Sequence, residues 1–331
     1  MAASEKSFPR LRYVGRRVLK SIPILLAIAI CNFILLKLAP GDAADVLAGE
    51  AGSATPEYLA QLKTQFGLDQ PDWLQLVHYL GRLMRFDLGY SFRDNESVLS
   101  LIMSRMPATL LLMVGALGLA FIAGGALGVL ASRRVNSWTD NLISVVALLF
   151  YATPIFLIGL ALIIVFAVQL GILPTGGIST VGASYTGLRA AWDVGVHLLM
   201  PLVTLALFFL ALYARLMRAS MLEVFNQDYV TTARAKGLPE GLITVKHVVR
   251  NAMLPMVTML GLQVGTLLGG SVLVETVFAW PGIGRLAFEA VMSRDLNLLL
   301  GILLICSVIV VVANILVDLT YAWLDPRIEL A

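Results

Sequence analysis

Long apolar runs alternate with shorter polar stretches along this chain, and the length of each run decides what it can be. A helix that crosses the hydrocarbon core of a bilayer needs about 20 mostly apolar residues. Six stretches meet or approach that length: residues 18–38, 106–131, 141–170, 196–217, 251–274 and 296–319. The first is the shortest, because its charge-free core, 21–36, lies between Lys20 and Lys37. Both lysines can snorkel toward the membrane surface, which extends the run. The third is overlong and contains Pro154; its far end leaves the membrane near Leu173-Pro174-Thr175-Gly176-Gly177. The pattern predicts an all-α, polytopic membrane protein with six transmembrane helices.

The polar interruption at 228–255, DYVTTARAKGLPEGLITVKHVVRNAMLP, is of a different kind. It carries Arg234, Lys236, Lys246, His247 and Arg250 against Asp228 and Glu240. Its alanine-rich start favours helix, and Gly237 is the residue type usual just past a helix end. Pro239 can open the next helix. Leu242, Val245 and Val249 then recur at helical spacing. The expectation is two short amphipathic helices joined by a bent, exposed tip at 238–243.

Composition agrees with the spans. Only 14% of residues are charged, where soluble domains carry about 25%, and the mean hydropathy is +0.86. Net charge matters less than its placement. Lys6, Arg10, Arg12, Arg16, Arg17 and Lys20 precede the first run. Arg133 and Arg134 follow the second, and Arg215, Arg218, Arg234, Lys236, Lys246 and Arg250 cluster after the fourth. With six spans these groups share one side, which the positive-inside rule makes cytoplasmic together with both termini. The first run has a basic start and an apolar middle, but no small-x-small cleavage site follows it, so it is expected to remain as a span. Residues 1–105 then form one region, with the first span and a long outer loop, and 106–331 a core of five spans.

Several chemistries have no residues to carry them. There is no G-x-x-x-x-G-K-[ST] loop for a nucleotide and no G-x-S-x-G elbow. His78, His197 and His247 are far apart, and Cys31 and Cys306 lie singly in apolar runs, so no metal site or disulfide is expected. Polar residues inside the spans are mostly uncharged: Asn32, Thr204, Thr258, Gln263, Thr266 and Asn314. Ion-coupled transporters keep charge at mid-membrane, whereas Glu275 and Asp318 sit near span ends. The energy source is therefore expected outside this chain, with a self-sufficient secondary transporter as the alternative of another class.

The segment resembles the cytoplasmic loop of the permease subunits of bacterial ABC importers, which often reads E-A-A, three residues, G, then I-x-L-P. Here the counterpart is Thr231-Thr232-Ala233, Arg234-Ala235-Lys236, Gly237 and, later, Leu254-Pro255. The threonines and the longer spacing resemble the dipeptide, oligopeptide and nickel branch. So do Ala39-Pro40-Gly41-Asp42, the stretch FGLDQPDWLQLVHYL, DLGYSF at 87–92, VFAWPGIGRLAFEAV at 277–291 and LDPRI at 324–328. Phe86 stands where that branch usually has glycine, and Leu296-Asn297 replaces a common Tyr-Pro.

The resemblance implies a type I importer permease fold and a non-catalytic subunit in the inner membrane. It implies a second homologous permease, two ATP-binding subunits that hold ATP and Mg, and a periplasmic or lipid-anchored solute-binding protein. Membrane lipids surround the chain, it holds no cofactor of its own, and nucleic acid has no part. The solute is expected to be a di- or oligopeptide, with nickel or another small solute as the alternative. The coupling loop spans about 218–250, and Ala233, Arg234, Gly237, Leu238, Pro239, Glu240 and Leu242 are its expected docking residues.

Three other features invite a role. Gly261, Gly265 and Gly269 recur every four residues on the fifth span, a stripe that lets helices approach closely. With Thr258 and Gln263 they are candidates for the pore or for helix packing; Gly124 and Gly128 make a shorter stripe, expected to serve packing. In the outer segment, Thr55-Pro56 and Asp69-Gln70-Pro71-Asp72 read as starts of short helices, suited to meeting the binding protein or to capping the pore mouth. Trp280-Pro281-Gly282-Ile283-Gly284 reads as a tight turn with an aromatic at the membrane interface.

Overall fold

The computed structural model describes residues 7–38, 69–91 and 93–324, with the single positions Thr55, Ala60 and Thr64. Helix α1 (Ser7–Leu38) is followed by α2 (Asp72–Met84). A hairpin of β1 (Tyr90–Ser91) and β2 (Glu96–Ser97) pairs Tyr90 with Ser97 and leads into α3 (Val98–Arg133). Next come α4 (Trp138–Ala152), α5 (Ile155–Gln169), α6 (Leu188–Phe225) and the short α7 (Asp228–Ala235). α8 (Glu240–Val277) is continuous and includes a π-helical stretch at Ile243–Val249. α9 (Ile283–Ser293) and α10 (Leu296–Leu324) follow.

Among the described residues, five helical stretches are long and apolar enough to cross a membrane: Arg17–Leu38 of α1, all of α3, α6 and α8, and Leu296–Val317 of α10. The run at 141–170 is not the single helix its length suggested. α4 and α5 meet at a bend of 103°. Pro154 has no N–H to continue the ladder, and the residue before it, Thr153, is driven to an extended ψ of 130° by the proline ring. Counted as one broken span, the pair brings the total to six.

The chain divides into two compact units, Met1–Ser104 with Glu289–Val311, and Arg105–Phe288 with Val312–Ala331. Glu289–Val311 thus groups with the N-terminal region, which sequence order alone does not reveal. In the first unit α1 packs on α2, with the Phe33 and Tyr79 rings 5.8 Å apart and Lys37 Nζ 2.9 Å from Asp72 Oδ1. Asn32 is buried and donates to the Leu300 carbonyl at 3.3 Å. Ser91, at the hairpin, donates to Asp295 at 2.5 Å. Of the expected outer helices, the one at 69–72 begins as α2, and the one at Thr55-Pro56 falls almost wholly outside the described residues.

In the second unit α6 is the central helix, buried from His197 to Met221 along one face. Gly124 and Gly128 of α3 press on it: a Cβ on Gly124 would lie 2.8 Å from the Leu210 carbonyl oxygen, and one on Gly128 2.5 Å from Met217 Cβ. A side chain at either position would push the helices apart. α4 is tied to α6 by a two-pronged ion pair, Arg218 Nε to Asp140 Oδ1 at 2.6 Å and Nη2 to Oδ2 at 2.7 Å. Above it the Arg215 guanidinium lies 4.7 Å from the Tyr151 ring, which stacks on Phe208. From sequence these arginines only marked a side of the membrane; in the fold they also fasten a broken helix.

Candidate functional site

The tip begins where α6 ends at Phe225. After Asn226 and Gln227 the chain re-enters helix as α7, with Asp228 in the first turn, where the helix dipole favours a negative charge. Val230 and Ala233 face inward and are buried, while Tyr229, Thr232, Arg234, Ala235 and Lys236 are exposed. Helical spacing by three places the two inward residues on one stripe.

α7 then stops in a six-residue hydrogen-bonded cap. The Leu238 N–H donates to the Ala233 carbonyl at 3.3 Å and the Gly237 N–H to the Arg234 carbonyl at 2.9 Å. This Schellman pattern needs a left-handed residue at its turn, and Gly237 supplies it with a φ of +74°. Pro239 follows in extended conformation as the N-cap of α8. Arg234 Nε donates to Glu240 Oε1 at 2.9 Å, closing the turn from outside, and the same guanidinium lies 5.9 Å from the Phe225 ring. Asn251 donates to the Tyr229 hydroxyl at 3.1 Å and so joins α8 to α7.

Two expectations change here. The second short helix is the first turns of α8 itself, so tip and membrane span form one element. Ile243, placed in the exposed tip, is fully buried with Thr244 and Val248, because that stripe of α8 faces inward. Ala233, one of the expected docking residues, is buried within the chain. The exposed surface is made by Arg234, Lys236, Gly237, Pro239, Glu240 and Gly241, with Leu238 half-buried. Leu242 at 44% and Val245 at 68% exposure add an apolar spot one turn further.

The stripe on α8 divides. Gly261 is buried, and a Cβ there would meet Val317 at 3.1 Å and Asn314 at 3.3 Å, so it packs within the chain. Gly265 and Gly269 are exposed, and Gly269 has open space around it among the described residues. Thr258 is exposed and donates back to the Leu254 carbonyl at 3.1 Å, and Gln263 is half-buried.

At the far end of α8 lies a site that sequence reasoning missed. Glu275 is fully buried. Its carboxylate accepts from the Thr109 hydroxyl at 2.8 Å and from the Arg285 backbone N–H at 2.9 Å. Thr109 in turn accepts from the Ile283 N–H at 2.7 Å. Gly282 and Gly284 have no side chain because the carboxylate occupies that space. The first amides of α9 thus find acceptors that a helix start otherwise lacks. Trp280 is not at an interface as expected: it is fully buried, and its indole N–H donates to the Ala108 carbonyl at 2.9 Å. The one available signal was the acidic Glu275 just before an aromatic, proline and glycine turn.

The described chain is thus a multi-pass helical protein with an exposed, preshaped turn at one end of a spanning helix. Residues 124–330 match the family described as binding-protein-dependent transport system inner membrane component, and 10–113 match the N-terminal part of such membrane components. The chain belongs to this family and is the permease subunit of an ABC importer, a multi-pass inner-membrane protein that works with ATPase and solute-binding components. A putative peptide permease protein of Brucella ovis is 42% identical over 96% of this chain and 99% of its own length. The oligopeptide transport system permease protein AppB of Bacillus subtilis is 40% identical over the same shares. The dipeptide transport system permease protein DppB of Escherichia coli is 38% identical, again over the same shares. The MetNI methionine ABC transporter in inward-facing conformations shares the fold, with a TM-score of 0.54 at 18% identity over 69% of this chain and 97% of that one.

Proposed function

We propose that this chain lines half of the translocation path of an ATP-driven importer of di- or oligopeptides. A second homologous permease completes the path, two ATP-binding subunits hold ATP and Mg beneath it, and a solute-binding protein delivers the peptide. This chain performs no catalysis of its own. Both termini and the α7–α8 tip are cytoplasmic, in keeping with the basic residues clustered there. Peptide as solute is supported by relatives named for peptides that align along nearly the whole chain.

The observation that carries the mechanism is the exposed Gly237 turn at the start of α8. Arg234, Gly237, Leu238, Pro239, Glu240 and Leu242 dock in a groove of the ATPase, with Ala233 packing behind them. When ATP closes the two ATPase subunits, the tip is carried along. α8 has 38 residues and, at about 1.5 Å per residue, is long enough to carry that motion across the bilayer. Gly265, Gly269, Gln263 and Thr258 face the second permease or the path.

The test is co-purification from native membranes together with peptide uptake. The wild-type chain is expected to bring down a P-loop ATPase and a second six-span permease. Gly237→Asp and Leu238→Glu should insert normally, lose the ATPase and abolish uptake. If both variants keep ATPase and uptake, the docking assignment is wrong. A chain recovered only with itself under mild detergent would favour a self-sufficient secondary transporter.

A further inference from the structure

At the end of α6 opposite the tip, one helical face and the loop before it enclose a cleft of about 490 Å³. That size falls in the range of small-molecule sites, about 300–1,000 Å³. Thr180, Tyr185, Arg189, Trp192, Asp193 and His197 line it. The spacing of 189, 192, 193 and 197 sets these side chains on one face of α6. The start of α6 lies about 55 Å along the helix from the end that leads into α7, at about 1.5 Å per residue, so the cleft opens on the other membrane face.

The charges in it are unevenly satisfied. Arg189 precedes Asp193 by four residues, the separation at which opposite charges on a helix pair. They do not pair. Asp193 is held instead by the Thr180 N–H at 2.8 Å and the Thr180 hydroxyl at 2.7 Å. His197 Nδ1 lies 3.6 Å from the same carboxylate and donates to the Asp193 carbonyl at 2.8 Å. The Arg189 guanidinium is left without a hydrogen bond or ion pair among the described residues. It keeps five donors in a planar fork that matches a carboxylate. Beside it Trp192, 77% exposed, and Tyr185 offer apolar faces.

We propose that this cleft receives the solute on the outer side, with Arg189 binding the terminal carboxylate of a short peptide and Trp192 and Tyr185 covering its side chains. The fork serves the carboxylate, and the carboxylate of Asp193, fixed by Thr180, repels a second anion and so favours a solute that carries one acid group and one ammonium. This rests on the peptide reading of the function above. A lipid phosphate shares the anionic chemistry and is separated by the test.

The experiment uses the assembled transporter in nanodiscs of neutral phosphatidylcholine, without the binding protein. Trp192 is the reporter, read as the fluorescence difference between wild type and Trp192→Phe. Titration with alanyl-alanine should give a saturable Trp192-dependent change. Arg189→Gln should shift its midpoint upward by at least about tenfold, and Arg189→Lys by less, since a bidentate contact becomes a single one. Alanyl-alanine amide should bind at least about tenfold more weakly than the acid. An unchanged midpoint in Arg189→Gln, equal binding of amide and acid, or no Trp192-dependent change overturns the proposal. So does a response to phosphatidylglycerol that the dipeptide fails to displace. Co-purification of the ATPase and ATP-driven uptake are followed in the same preparations. Their retention with a silent cleft defeats this inference alone, whereas their loss in the wild type defeats the functional reading beneath it.

Discussion

The two ends of α8 use one backbone device in opposite surroundings. At the tip α7 closes into α8 through Leu238 N–H to Ala233 and Gly237 N–H to Arg234. At the far end α8 closes through Trp280 N–H to Glu275 at 2.8 Å and Ala279 N–H to Thr276 at 3.2 Å. Both are Schellman caps, and both place one residue in the left-handed region, Gly237 at +74° and Ala279 at +49°. Glycine stands where only an exposed ion pair fastens the turn: the position is exposed and its surroundings are open. Alanine stands where burial of Trp280 and Glu275 determines the chain path anyway. A left-handed non-glycine residue costs roughly 1–2 kcal/mol, and it persists only where its surroundings over-determine it. The comparison separates an exposed turn that depends on its glycine from a buried joint that satisfies itself.

The sharpest way to break this comparison is at the buried end. Glu275→Ala leaves the Thr109 hydroxyl and the Arg285 amide without their acceptor in an apolar interior. An unsatisfied buried donor costs about 1–3 kcal/mol, and two of them should lower the thermal unfolding midpoint of the detergent-solubilised chain more than any other change considered. ATPase co-purification in surviving protein should be retained, because the tip is unaltered. Equal stability of Glu275→Ala and wild type would mean that the outer joint is held by Trp280 and its packing, with the carboxylate a bystander.

At the tip the corresponding fastening is the Arg234–Glu240 pair, with side chains 43% and 65% exposed. Exposed pairs contribute at most about 1 kcal/mol, so stability should hardly respond. Function should. Arg234→Glu and Glu240→Arg each place like charges across the Gly237 turn and should reduce ATP-driven uptake. The double exchange restores the attraction and should recover much of it. Recovery assigns the two residues to shaping the turn. If the double variant is as defective as the worse single one, they contact the ATPase directly.

Local pattern was enough to read the straight spans and the Gly237 turn, because each is a run or a residue whose signal lies within a few positions. The joint at the other end was not legible in this way. Glu275 meets Thr109 across 166 positions of sequence, and Trp280 meets Ala108 across 172. Arg218 and Asp140 are separated by 78. No periodicity connects such partners, and only the fold brings them together. Length misled at 141–170, since Pro154 redirects an apolar run without interrupting it. Helical spacing grouped Leu242, Val245 and Val249 but could not tell that the inward stripe of α8 is the one carrying Ile243, Thr244 and Val248.

A third cap sharpens the comparison with the smallest expected effect. α2 ends with Asp87 N–H to Arg82 and Phe86 N–H to Leu83, both at 3.0 Å, and Phe86 takes the left-handed position at +58°. Its side chain is 77% exposed, so it has the open setting of Gly237 with the residue type of the buried joint. This is also the position at which the resembling branch usually has glycine, and the backbone gives the reason. Phe86→Gly removes the left-handed strain, while the freer unfolded chain that glycine brings offsets part of the gain. Release of about 1–2 kcal/mol of left-handed strain against about 0.5–1 kcal/mol of glycine's added unfolded-state freedom leaves a small net stabilisation, read as a small rise in the unfolding midpoint with uptake unchanged. A fall would mean that the exposed Phe86 ring is covered in the assembled transporter, and that its strain is held there by a contact with another component.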